Sequence, residues 1–151
     1  MGFSAHERAR ARRYAMQALY QWELSGTDLP LIRRQFLENE DFSKADTKYF
    51  IELLSEAPKM IDIIDENIAE YIDRPAEQLD PVERAVLRLA TYELLYRLDI
   101  PYRVTINEAV QLTKKFGAEQ GHAFVNGVLD KAAKKLRAAE CKKAGKQAAG
   151  R

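Results

Sequence analysis

The stretch Asp80–Leu98, DPVERAVLRLATYELLYRL, constrains this chain more than any other. Apolar side chains recur around nearly its whole circumference: Val82, Ala85, Val86, Leu87, Leu89, Ala90, Tyr92, Leu94, Leu95 and Tyr96. A helix that is apolar all round is buried on all sides. At about 1.5 Å per residue it runs roughly 27 Å, the width of a small domain. Its ends are marked as clearly as its interior. Asp80 suits the N-cap, Pro81 the first turn, and Glu83 completes a capping box. Pro101 disfavours helix at the residue before it and sets the stop. The stretch reads as the central post of a helical domain, with Glu83, Arg84, Arg88, Glu93 and Arg97 reaching the surface.

The other segments repeat the helical pattern. Ala11, Ala15, Leu19 and Trp22 recur at helical spacing from about Ser4 to Leu24, and Gly26 ends that helix. A second helix starts near Asp28 with Leu29, Ile32 and Phe36 inward. A third starts at Ser43, with Tyr49, Phe50, Leu53 and Leu54 inward. Pro58 stops or kinks it. Met60, Ile61, Ile64, Ile68, Tyr71 and Ile72 form a fourth stripe, and Asp73–Leu79 is a polar connection. Thr105-Ile-Asn-Glu108 reads as a capping box for the helix ending at Gly117. A last helix runs from about Ala118–Gly121 to Ala139 with Val125, Val128, Leu129, Ala132 and Leu136 inward. Gly127 inside it points to close helix packing. The expectation is an all-α fold of about seven helices in two small packed subdomains. Residues 1–139 form the domain, and 140–151, ECKKAGKQAAGR, form a disordered basic tail.

Charge is segregated along the chain, although the net is only +1. Met1–Arg13 holds four arginines against Glu7. Glu38–Asp80 holds thirteen acids against four bases, and Lys114–Arg151 ten bases against three acids. Two basic ends around an acidic middle suit a polyanion on one surface and a basic partner on another, or simply a solubilising charge distribution. No apolar run approaches the ~20 residues of a membrane span. The lone Cys141 excludes an internal disulfide framework and fits a reducing cytoplasm. His6 and His122 sit in no metal-ligand pattern, and neither a G-x-G-x-x-G nor a phosphate loop occurs. No catalytic residue, metal or cofactor is expected.

Two stretches carry the functional signal. HERARARRYAMQ places Arg8, Arg10, Arg12 and Arg13 at a helix N-terminus, where the dipole already presents positive charge. An anionic ligand relieves that conflict, and arginine's fork suits phosphate; the alternative is a frayed, basic solubilising arm. KKFGAEQGHAFVNG gathers Lys114, Phe116, Phe124 and Asn126 around one interhelical joint. Cations for phosphates, aromatics for stacking and amides for base edges are the means by which single-stranded RNA is held. By pattern alone both phenylalanines read as core aromatics, with Gly117 and Gly121 as turn residues. Tyr20, Glu77 and Glu83 fit either packing and capping or contact with a basic partner protein.

The runs ARRYAMQALYQWELS, PVERAVLRLATYEL, VTINEAVQLTKKFG and FVNGVLDKAA, in that order from about Ala9 to Ala133, closely resemble the NusB family of bacterial transcription antitermination factors. The resemblance implies a two-subdomain helical fold. It implies binding of boxA RNA together with the ribosomal protein NusE, within an antitermination complex on RNA polymerase that serves ribosomal RNA operons. It implies no catalysis and no cofactor. By matching position, it assigns RNA contact to Arg8, Arg10 and Arg12, with Arg13 as an additional cation. It gives Lys114, Phe116, Phe124 and Asn126 a place bordering the RNA, and Tyr20, Glu77 and Glu83 a place on the NusE surface. Gln120-Gly121 departs from the family pattern, where some relatives carry an acid. The tail beyond Ala139 is longer and more basic than the family leads one to expect. A helical protein-interaction adaptor, and the NusB-like domain of an RNA methyltransferase, are the alternatives. The faces of helices two to four suit either a homodimer contact or closure of the core.

Overall fold

The computed structural model describes residues 4–149, with side chains through Lys146. Its helices are α1 (Ala5–Ser25), α2 (Leu29–Asn39), α3 (Thr47–Lys59), α4 (Ile61–Ile68), α5 (Pro81–Tyr96), α6 (Tyr102–Phe116), α7 (Gly121–Leu136) and α8 (Ala138–Ala149). Short 3-10 turns at Ala69–Tyr71 and Ala76–Gln78 sit between α4 and α5. Among the described residues all regular structure is helical.

α5 is the post around which the chain packs. It touches α1, α3, α4, α6 and α7. Ala85, Val86, Leu87 and Leu94 are at most 1% exposed, as an all-round apolar helix requires. On one side α1 to α3 form the first lobe, where Tyr14, Phe36, Phe42 and Phe50 pack as tilted and edge-on aromatic pairs. On the other, α6 and α7 pair extensively and close over α5.

The helix ends follow local chemistry. Ser4 and Glu7 form a reciprocal capping box at the start of α1. Asp80 accepts the amides of Val82 and Glu83, but Glu83 does not reach back, so only half of the expected box exists. Gly26 ends α1 in the left-handed region, at φ 68°. Space around it is open, so a side chain there costs backbone strain and nothing else. Gly26→Ala is expected to destabilise by about 1 kcal/mol, lowering the melting temperature by about 2–4 °C. A melt followed by circular dichroism checks this.

Four expectations need correction. α3 begins at Thr47, not Ser43, because Asp46 caps it through the Tyr49 amide. α6 begins at Tyr102, directly after Pro101, so Thr105 is an interior residue and not a cap. Gly127 faces open space, so no close helix approach explains it. The tail expected to be disordered is helical to Ala149. Its first turn is anchored by Glu140, which accepts the Tyr102 amide at 3.0 Å, and alanines favour the helix onward. Gly150 and Arg151 of that tail lie outside the described residues.

Candidate nucleic-acid and partner interface

The arginines of α1 divide into two environments. Arg12 is buried, and its Nε donates to Glu93 Oε2 at 2.6 Å. Glu93 is 2% exposed. It also accepts Tyr49 Oη at 2.5 Å and Thr105 Oγ1 at 2.8 Å. One carboxylate on α5 thus receives donors from α1, α3 and α6. Burial and the adjoining Glu93 charge push the Tyr49 hydroxyl far above its ordinary range, so it stays a donor. Arg12 and Glu93 were both expected at the surface. The structure instead spends them on each other, because an unpaired charge at this depth is prohibitive.

Arg8, Arg10 and Arg13 remain at the edge of the same helix. The Arg8 guanidinium lies 5.0 Å from the Tyr49 ring centre and its Nε 3.5 Å from Asp46, without a hydrogen-bond partner at that atom. Arg97, at the end of α5, covers the same ring at 4.9 Å. Arg13 lies over Tyr14 at 5.3 Å. Arg10 is half-buried. Aromatic faces therefore hold three guanidiniums around the start of α1 while part of each is left to solvent.

The second sequence cluster is split. Phe116 lines an open apolar groove of about 670 Å³ with Met16, Tyr20, Leu24 and Val82. This places it beside Tyr20, the residue assigned to a protein partner. Asn126 lies in a different groove of about 410 Å³ between α6 and α7, with Tyr102, Arg103, Asn107 and Asp130. Phe124 is half-buried against the core, and Lys114 is exposed. Lys115 places its ammonium 5.5 Å from the Phe116 ring.

Glu83 and Glu77 are also separated. Glu83 packs against the start of α7, where a Cβ on Gly121 would fall 2.6 Å from its Oε1. Burial raises its carboxyl above the ordinary range, with Asp80 adding to this and Arg74 opposing it. Glu77 lines another groove, with Trp22, Glu23, Arg84 and Arg88. There Glu23 bridges Arg84, at 2.5 Å, and Arg88, which also grips Asp65 through two bonds of 3.0 and 2.7 Å. Arg88, expected at the surface, is buried by this network.

Sequence reasoning missed two further features. The α6–α7 groove is polar and offers Tyr102, Arg103 and Asn107 beside Asn126. Arg137 lies buried beyond α7 and ties down the end of α5. Lone charges amid apolar stripes, Glu93 and Arg137 among them, were the available signal.

Among the described residues no cluster of metal-ligating side chains occurs, and no helix is long and apolar enough to cross a membrane. The arrangement defines a class: a two-lobed helical binding protein with a guanidinium-rich edge and apolar and polar grooves beside it. The chain belongs to the NusB family, whose model matches residues 9–134. It is 50% identical over 125 residues to the transcription antitermination protein NusB of Shewanella pealeana, covering 83% of this chain and 93% of that one. The corresponding protein of Alcanivorax borkumensis is 50% identical over 133 residues, covering 88% and 89%. Among solved structures, antitermination factors NusB and NusE in complex with double-stranded RNA match with a TM-score of 0.80 at 29% identity, over 87% of this chain and 99% of that one. NusB of T. maritima matches with a TM-score of 0.73 at 34% identity, over 88% and 93%.

Proposed function

We propose that this chain is a cytoplasmic transcription antitermination factor that binds boxA RNA together with NusE and joins the antitermination complex on RNA polymerase. The observation that carries this reading is the likeness to a NusB chain solved with NusE and RNA, spanning 99% of that chain. Relatives covered over 93% of their length are antitermination proteins, which favours this reading over a methyltransferase domain. The geometry adds a division of labour. Arg8, Arg10 and Arg13 supply the cations of the RNA edge, and Arg12 holds that edge in place from inside. The groove containing Tyr20, Val82 and Phe116 offers an apolar seat for the protein partner. Glu83, half-buried at the α5–α7 joint, borders the partner surface and the FG…FVNG joint alike. No step of this function calls for catalysis.

The test is a titration with boxA RNA and a scrambled control, with and without NusE, at two salt concentrations. Preference for boxA that NusE strengthens is the expected result. Equal binding of both RNAs, lost at higher salt, would leave only an electrostatic contact and overturn the reading.

The edge assignment has its own test. The R8Q/R10Q double variant is expected to weaken boxA binding about tenfold and to make the salt slope shallower by about 1.4, since each phosphate contact on a single strand contributes about 0.7. Its circular dichroism spectrum should match that of the parent. Unchanged affinity at moderate salt would remove these two residues from the site.

A further inference from the structure

α8 lies beyond the residues matched by the family model, which end at 134. Its base is fixed firmly. Arg137 bonds Glu140 at 2.7 Å, and Glu140 receives the Tyr102 amide at 3.0 Å. Cys141 and Ala144 are half-buried, and Cys141 Sγ lies 3.5 Å from the Ala133 carbonyl oxygen. The opposite face carries Lys142, Lys143 and Lys146, all exposed. Among the described residues none of the three makes an ion pair.

Packing alone does not account for this helix. Twelve residues containing Gly145 are marginal as an isolated helix. Lysines three and four positions apart repel one another. Bound anions would turn that repulsion into attraction.

The base of α8 adjoins the α6–α7 groove through Tyr102, which lines the groove and bonds Glu140. Within the groove the Arg103 guanidinium sits 5.7 Å from the Tyr102 ring centre. Asn107 and Asn126 provide amides, and Asp130 is the acid among the lining residues. A stacking ring, a guanidinium and two amides in about 410 Å³ suit an unpaired nucleotide. Tyr102 thus joins one end of the groove to the base of α8.

We infer that α8 extends the RNA track: unpaired nucleotides flanking boxA run through the α6–α7 groove, and Lys142, Lys143 and Lys146 grip their phosphates. The inference rests on the RNA-binding reading above. The groove lies within residues 9–134, and the lysines of α8 add phosphate contacts beyond them.

The experiment compares two RNAs, the boxA core alone and the core with about ten unpaired nucleotides on each side. Both are titrated against the full chain and its K142Q/K143Q/K146Q variant, with NusE present. The full chain should bind the flanked RNA about tenfold more tightly than the core. The variant should bind the core like the parent, lose the flank advantage, and show a salt slope on flanked RNA shallower by about two. A variant that keeps the flank advantage overturns the inference, and so does a parent that shows none; lysines facing an acidic protein would give that second result. Core binding without a flank effect defeats only the α8 assignment. Failure of the parent to bind either RNA defeats the antitermination reading as well.

Discussion

Replacing Glu93 with alanine is expected to lower the melting temperature by about 10 °C. The substitution leaves the Arg12 guanidinium buried without its counter-charge and strips acceptors from Tyr49 and Thr105. Breaking a buried pair by removing one partner costs about 3–5 kcal/mol, and in a chain of this size each kcal/mol is worth about 2–4 °C. Glu93→Gln should fall between parent and alanine variant, because its amide oxygen still accepts a hydroxyl but no longer neutralises Arg12. Arg12→Met should also destabilise, and the R12M/E93Q pair should be more stable than the two single effects predict. That non-additivity is the signature of a shared bond as opposed to two independent packing defects. Thermal melts of the parent and the four variants decide the matter. A Glu93→Ala melting point within about 2 °C of the parent would show that the carboxylate does not hold the four helices together. The consequence for function follows from position. Glu93 fixes the turn of α1 that carries Arg8, Arg10 and Arg13, so weakening it should loosen the RNA edge without removing any residue from it.

Much of this architecture was readable from the residues. α5 could be placed because its apolar side chains leave no solvent face, and its ends because Asp80-Pro81 and Pro101 are strong local signals. α1 and its stop at Gly26 were legible for the same reason. The failures share a physical cause. Arg12 looked like its neighbours Arg10 and Arg13, and what buries it is a carboxylate 81 positions away. No local rule contains that distance. The spacing held a partial clue, since Arg12 lies one position from Ala11 and three from Ala15 on the inner stripe of α1. Glu93 was read as a surface marker by charge, although every neighbour on its helix argued for burial. At Thr105 a pattern match competed with Pro101, and the proline prevailed: it stands at the N-cap with extended backbone, and the helix starts at the next residue. The site was legible as a list of residue types more than as a place. Phe116 and Asn126 are ten residues apart in sequence yet open into different grooves, because α6 ends and the chain reverses between them.

Arg137→Ala is expected to cost about 3 kcal/mol or more, because among the described residues no other side chain donates to the same carbonyls. Arg137 is 5% exposed. Its guanidinium donates to the carbonyls of Glu93, Leu94, Arg97 and Ile100 at 2.8–3.1 Å. Those carbonyls belong to the last turn of α5 and the corner that follows, where a helix runs out of its own donors. Truncation leaves the Leu94 and Ile100 carbonyls without a donor, while those of Glu93 and Arg97 keep the backbone amides of Arg97 and Ile100. Each lost charge-assisted bond is worth about 1.5–3 kcal/mol before relaxation. The melting temperature should fall by about 6–12 °C. Arg137→Lys should rescue little, since one ammonium on a flexible stem cannot serve carbonyls spread around a planar fork. A lysine variant that melts like the parent would mean that charge alone is required and the fork geometry is irrelevant. Hydrogen exchange supplies a local readout: amides from Arg97 to Tyr102 should lose protection in the alanine variant before the rest of α5 does. Arg137 also holds Glu140, and Glu140 holds the start of α6. The same substitution should therefore free the base of α8 and erase the flanking-RNA advantage, with the boxA core still bound at temperatures well below the melt.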